Sequence, residues 1–188
     1  MIDFFIMSVE GSRDEYIAEI LKAIPISTVV KDRDSNARDN FDRILNINST
    51  KRYKLILQDD VIISKSFHTQ LLKAIAEQNP LIASGYSNRA EDLKYIEKGY
   101  YYQQPSKFIG AQCLLIQNEL CKQLSIYAPE WYNENKQHKT SFDLMIRGFM
   151  IKNKIKPLII VPSIVQHIDG ESLMNHKCGK RQSRTFIE

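Results

Sequence analysis

In YKLILQDDVIIS, Tyr53 to Ser64, two carboxylates, Asp59 and Asp60, stand between the apolar runs Leu55-Ile56-Leu57 and Val61-Ile62-Ile63. These runs are rich in β-branched residues and too short to be helices, so they read as buried strand. A buried carboxylate is costly unless it is paired, hydrogen-bonded or bound to a metal. Ligands of open α/β sheets collect at strand ends. The acidic pair therefore reads as a strand-end site that holds a divalent cation through hard oxygen ligands. The plainer alternative is a solvated acidic turn that closes a strand.

The flanking sequence predicts the rest of an α/β unit. Ile2 to Val9 is apolar and aromatic and reads as an opening strand. Arg13 to Ala23 places Tyr16, Ile17, Ile20 and Leu21 at helical spacing, with Ser12 and Glu15 as a capping box and Pro25 as the stop. Ser27 to Val30 reads as a second strand, and 37–46 as a helix with Phe41, Ile44 and Leu45 on one face. Beyond the acidic pair, 66–78 is a third helix, Leu81 to Tyr86 a strand, and 88–98 a loop or short helix. The tyrosine-rich 99–105 reads as an aromatic strand, with a sugar-stacking surface as the alternative. Phe108 to Gln117 is a strand opened by Gly110, and 118–127 is a helix that gives way to a turn at Pro129. Ser141 to Ile151 is an apolar helix, and Pro157 to Val165 a strand pair around Pro162. Strands alternating with helices predict a Rossmann-like, mostly parallel mixed sheet flanked by helices. No GxGxxG follows the first strand, which disfavours a dinucleotide-binding enzyme.

Composition bounds the function. The 188 residues are enough for one domain with a substantial core, and 43% hydrophobic with 26% charged residues is ordinary for a soluble protein. No apolar run reaches the ~20 residues of a membrane-spanning helix, and MIDFFIM lacks the basic lead of a signal peptide, so a cytoplasmic location is expected. Cys113, Cys121 and Cys178 are widely spaced and read as free thiols. A net charge of +4 is too small for a dedicated nucleic-acid binder. The excess is nevertheless uneven, with Lys177, Lys180, Arg181 and Arg184 close together near the end. Such a cluster suits a phosphate-bearing ligand, and a solvated tail explains it equally well.

The LILQDDVIIS string resembles the metal-binding segment of glycosyltransferases of the GT-A fold, where a hydrophobic run, an E/D/Q-D-D triplet and a second hydrophobic run close the nucleotide-binding half. A second segment, PSIVQHIDGESL from Pro162 to Leu173, is similar to the C-terminal P-S-x-x-Q-H-x-G-x-x-S segment of several GT-A families, including N-acetylglucosamine branching enzymes and bacterial and phage relatives. The chain departs from the pattern at Gln58, often an acid in the family, and at Asp169, an extra residue before Gly170.

The resemblance implies a single GT-A domain over 1–188, with 166–188 as a basic tail closing over the site. It implies transfer of a sugar from a nucleotide-sugar, most simply a UDP-sugar, to an acceptor hydroxyl, assisted by Mn2+ or Mg2+. Asp60 and His167 would ligate the metal, and imidazole beside carboxylate suits Mn2+. Asp59 would contact the donor, together with Ser8, Val9, Gly11, Arg13 and Asp32. Gly110 and Gln112 would face the acceptor, and Lys180 and Arg181 would bind phosphate. Asp143, at the start of a helix, would be the general base of an inverting reaction; the simpler reading is an acid favoured by the helix dipole. Small size and a basic end resemble phage glycosyltransferases that decorate modified DNA bases, which makes DNA a candidate acceptor alongside a glycan. The rival classes are a metal-dependent nucleotidyl or phosphoryl transferase, a nucleic-acid-binding protein, and a GT-A module that binds without catalysis.

Overall fold

Side chains along β1 (Ile2–Val9) alternate between two cores. Phe5 and Met7 enter one hydrophobic cluster, and Phe4 and Ile6 enter another on the opposite face. This is the two-residue period of a strand buried on both faces. The computed structural model that shows this describes residues 1–11, 13–32, 36–108, 110–168 and 182–188.

A seven-stranded mixed sheet forms the middle layer. Its order is β2-β1-β3-β7-β5-β8-β6, with β2 at Thr28–Asp32, β3 at Tyr53–Gln58, β5 at Ile82–Ser84, β6 at Tyr100–Tyr102, β7 at Cys113–Gln117 and β8 at Leu158–Ile160. A separate two-stranded ribbon pairs β4 (Val61–Ile63) with β9 (Val165–His167). Helices α2 (Ala37–Asn46), α4 (Asn118–Glu134) and α5 (Phe142–Lys152) cover the Phe5 face; α1 (Asp14–Ala23) and α3 (Phe67–Gln78) cover the Phe4 face. The expected single-domain α/β architecture is present. Three of the six pairings in the large sheet are parallel rather than most of them, because β7 runs antiparallel between β3 and β5 and β6 adds antiparallel to β8.

Several local expectations are corrected. The acid-interrupted stretch is two strands in two sheets. Gln58 N–H still donates to the Gln112 carbonyl at 3.0 Å, after which the chain bends through Asp59 and Asp60 and joins the ribbon. The N-cap position of α1 is Arg13, which makes no side-chain cap; Ser12, expected to open a capping box, lies outside the described residues. Helix α4 continues through Pro129 to Glu134. An interior proline costs about 3 kcal/mol, but Trp131 and Tyr132 are buried beyond it, and each large apolar side chain removed from water returns roughly 1.5–3 kcal/mol. The tyrosine-rich stretch is an edge strand. Tyr101 points inward and donates to Asp92 Oδ1 at 2.7 Å, while Tyr102 is exposed.

A lysine lies within the core. Lys54, on β3, is fully buried, and its Nζ donates to the carbonyls of Ile44, Leu45 and Ile47 at 2.8, 2.9 and 2.6 Å. These carbonyls lie at the end of α2, where the helix leaves acceptors short of partners and its dipole favours a cation; Ile44 also accepts from Ile47 N–H at 3.3 Å. Burial lowers the Lys54 pKa from its ordinary value.

Candidate functional site

The parallel strands β1, β2 and β3 end together. Val9 pairs with Asp32 and Met7 with Gln58, so the residues that follow these ends share one edge of the sheet. Asn40, buried on α2, ties two of the strands by donating from Nδ2 to the Ser8 carbonyl at 3.0 Å and the Val30 carbonyl at 2.8 Å. An asparagine beside Phe41 on the inward side of a predicted helix was the sequence signal for this brace, and the sequence reading missed it.

Beyond β1 the chain turns at Gly11 with φ 74° and enters α1 at Arg13 with φ 61° and ψ 23°. A non-glycine residue in this left-handed region costs about 1–3 kcal/mol. The turn delivers the Arg13 guanidinium to the acidic pair. Its Nη1 donates to Asp59 Oδ1 at 2.9 Å and to Asp60 Oδ2 at 2.8 Å. All three side chains are largely buried, with relative exposures of 17% for Arg13, 7% for Asp59 and 13% for Asp60.

The ribbon closes the other side. Val61 lies opposite His167, Ile168 N–H donates to the Asp60 carbonyl at 2.8 Å, and His167 Nε2 stands 3.5 Å from Asp60 Oδ2. The two carboxylates are pushed apart in acidity. Burial raises the Asp59 pKa, and the Asp60 charge adds to that; Arg13, with a smaller pull from Ser8, only partly offsets them. Burial also works to raise Asp60, but hydrogen bonding and charge from His167 and Arg13 together outweigh it and hold Asp60 below its ordinary value. Asp60 is thus the more firmly ionised member of the pair.

The second sequence motif divides its work. His167 faces Asp60, whereas Ser163 and Gln166 anchor the end of the chain. Ser183 Oγ donates to Ser163 Oγ at 2.7 Å, Ser183 N–H to Gln166 Oε1 at 2.7 Å, and Ser163 N–H to Thr185 Oγ1 at 3.1 Å. Ser183 and Thr185 are buried, so 182–188 is docked rather than trailing. Lys180 and Arg181, expected to bind phosphate, lie outside the described residues, as do Lys177 and Asp169. Arg184 is described and exposed.

Ser8, Val9, Gly11, Arg13, Asp32, Asp59, Asp60 and His167 gather at or just beyond the shared strand ends. Gly110 and Gln112 adjoin them through the bond from Gln58. Gly110 has φ 84°, and a Cβ there would fall 2.6 Å from Gln112 Oε1 and 3.1 Å from the Tyr86 ring, so the close approach requires glycine. Asp143 is set apart. It lies in the first turn of α5, where its charge contributes to the raised pKa of Tyr132, after burial and Asp42. No hydrogen bond or ion pair joins Asp143 to Asp59, Asp60 or His167 among the described residues. Its neighbour Phe142 stacks on Phe41 at 4.9 Å, next to the Asn40 brace, which places the start of α5 against the helix that buttresses the site.

Asp59 Oδ2 and Asp60 Oδ1 are buried without a hydrogen-bond partner among the described residues. These two carboxylate oxygens and the nearby imidazole are oxygen and nitrogen donors of the kind that divalent cations take. No group of three or more His, Cys, Asp or Glu side chains converges as a ready-made cage among the described residues. Water or substrate oxygens would therefore complete the shell. No helix among the described residues is long and apolar enough to cross a membrane.

No protein-family model matches the sequence, and no curated protein resembles it closely enough to count as a relative. Solved structures share the fold. Protein A197 from STIV matches with a TM-score of 0.54 at 15% identity, over 89% of this chain and 86% of that one. The inositol-1-phosphate CTP transferase from T. maritima matches with a TM-score of 0.50 at 13% identity, over 89% of this chain and 71% of that one. A glycosyltransferase involved in the glycosylation of the major capsid of PBCV-1 matches with a TM-score of 0.50 at 9% identity, over 90% of this chain and 94% of that one. At such identities the likeness is one of fold: this chain shares with these structures a single-domain α/β architecture, here a seven-stranded mixed sheet flanked by helices.

Proposed function

We propose that the protein is a glycosyltransferase that moves a sugar from a nucleotide-sugar to an acceptor hydroxyl with the help of Mn2+ or Mg2+. The observation that carries this reading is the Asp59-Asp60 pair at the end of β3, with His167 brought beside Asp60 by the β4–β9 ribbon. Ser8, Val9, Gly11, Arg13, Asp32 and Asp59 bind the donor at the strand ends. Asp60 and His167 hold the cation, which when bound offsets the negative charge of the diphosphate leaving group. In the transfer the bond between the sugar's anomeric carbon and the diphosphate breaks, the acceptor oxygen bonds to that carbon, and Asp143 takes the acceptor proton. The proposed acceptor is a hydroxyl on a modified DNA base, with a glycan as the other candidate. Gly110 and Gln112 line its approach.

A second reading has support from one fold neighbour, which is named as a CTP transferase. A nucleotidyl transferase would use the same acidic strand end while an oxygen of the acceptor bonds to the α-phosphorus of a nucleoside triphosphate and the bond from that phosphorus to the β-phosphate's bridging oxygen breaks, releasing pyrophosphate. One experiment separates the classes. A panel of nucleotide-sugars and nucleoside triphosphates is screened with Mn2+ for protection against thermal unfolding, which rises with occupancy by mass action. The protecting compounds are then incubated with acceptors. Release of nucleoside diphosphate with a glycosylated acceptor supports the proposal, and release of pyrophosphate replaces it with nucleotidyl transfer. DNA affinity that falls steeply with salt and no donor turnover would identify a nucleic-acid-binding protein.

A further inference from the structure

We infer that Arg13 is the resting counter-cation of the acidic pair, and that a divalent cation and the Arg13 guanidinium occupy the pair in alternation. The inference rests on the metal-assisted reading above. Its first support is position. A single nitrogen, Arg13 Nη1, is held between Asp59 Oδ1 and Asp60 Oδ2 at 2.9 and 2.8 Å, so one positive charge already serves both carboxylates. Its second support is what the guanidinium leaves open. Asp59 is nine-tenths buried, yet its Oδ2 has no hydrogen-bond partner among the described residues, and the same is true of Asp60 Oδ1. One guanidinium against two carboxylates leaves the pair with excess negative charge, and one oxygen of each carboxylate faces away from Arg13 without a hydrogen-bond partner among the described residues.

A divalent ion drawn to those oxygens would meet the guanidinium at close range in a largely buried setting, where like charges are poorly screened. The two cations cannot both sit on the pair without mutual repulsion. Arg13 enters from a left-handed turn after Gly11, on a short connection rather than inside a helix, so its side chain can leave the carboxylates without unwinding α1. Once released, the guanidinium stands at the edge where the donor's diphosphate is proposed to bind, and guanidinium groups pair well with phosphate oxygens. Donor diphosphate and cation then enter together: the diphosphate draws Arg13 away and opens the pair to the metal. Arg13 acts here as a positioning residue. It couples metal loading to donor binding.

The test measures Mn2+ binding to the full chain by the electron paramagnetic resonance signal of free Mn2+, first without nucleotide and then with UDP. Wild type is compared with Arg13→Gln and Arg13→Met, two uncharged variants of which Met keeps more of the apolar stem, and with Arg13→Lys, which keeps the charge. Circular dichroism establishes that each variant is folded. Without nucleotide, the uncharged variants are expected to bind Mn2+ at least tenfold more tightly than wild type, with Lys close to wild type. UDP should raise Mn2+ affinity more in wild type than in the uncharged variants. Equal or weaker Mn2+ binding in the folded uncharged variants overturns the counter-cation role and leaves the metal-assisted reading intact. No Mn2+ binding to any of the four proteins, with or without UDP, overturns both.

Discussion

His167 Nε2 stands 3.5 Å from Asp60 Oδ2 because β4 and β9 pair antiparallel with Val61 opposite His167. The residue after His167 strengthens the arrangement, since Ile168 N–H donates to the Asp60 carbonyl at 2.8 Å. Two motifs remote in sequence therefore meet through backbone pairing, with the side-chain contact as its consequence. A residue whose position is set by a ladder can be replaced without moving its partner, which makes side-chain substitutions here informative.

Asp60→Ala is expected to abolish transfer and the metal-dependent part of nucleotide binding while the fold is kept. The checks are a turnover assay with the donor found by thermal protection, and calorimetric titration of that donor with and without Mn2+. Full wild-type activity in excess EDTA would refute the metal requirement.

Asp60 also predicts a pH dependence of stability. Its pKa in the folded protein lies below the ordinary carboxylate value of 3.8, held down by His167 and Arg13 against the opposing effect of burial. The unfolded chain therefore binds a proton more readily in the interval between the two values. Asp60 contributes stability that is fully present above about 4 and is lost as pH falls through its folded pKa. The difference in melting temperature between wild type and Asp60→Asn should be largest near neutral pH and shrink as pH drops below 3.8. A difference that grows on acidification would reverse the sign and refute the assignment.

Asp143→Asn is nearly isosteric. It should leave donor binding unchanged and lower turnover by ~10²-fold or more, the scale of a lost general base. Donor affinity and single-turnover rate, measured on the same preparation, check the two halves. Wild-type turnover would return Asp143 to the role of a first-turn helix acid, and a product with retained anomeric configuration would remove the simple base mechanism.

Neutralising Lys180 and Arg181 together distinguishes two partners. If they bind the donor diphosphate, donor KM rises and DNA affinity holds. If they bind DNA, KM holds and affinity falls at every sequence, with the slope of log K against log salt shrinking by ~0.9 per lost phosphate contact on duplex DNA. A double variant unchanged in both measurements would mark the cluster as solvated surface.

Gly148→Ala tests the packing beneath the proposed base. Gly148 lies inside α5, where alanine would favour the helix by about 1 kcal/mol. A Cβ there would fall 2.6 Å from Trp131 Nε1, however, and the Trp131 ring is buried between α4 and α5. Overpacking a rigid ring costs typically 1–3 kcal/mol, so the variant is expected to be less stable in urea by about 1 kcal/mol. Equal or greater stability would show that Trp131 yields freely.

Local pattern alone determined much of this protein. The apolar alternation of Ile2 to Val9, the helical faces at Phe41, Ile44 and Leu45 and at Phe67, Leu71 and Ile75, and the acidic interruption at Asp59-Asp60 were all legible, because burial on a strand or helix imposes its period on neighbouring residues. Long-range partnerships left weaker marks. Nothing near Arg13 in the chain announces that its guanidinium will bridge Asp59 and Asp60, and nothing near Lys54 announces three helix-end carbonyls. Pro129 looked like a helix stop because its local cost is plain in the sequence, whereas the burial of Trp131 and Tyr132 that offsets it exists only once α4 packs on the sheet. The same holds for Ser183 and Thr185, two unremarkable polar residues that become buried partners of Ser163. The sequence determined which segments are strands and helices and where an acidic site could lie. Only the tertiary structure decided which side chains meet at that site, because charge pairing depends on distance in space and the chain brings residues 13, 60 and 167 together only by folding.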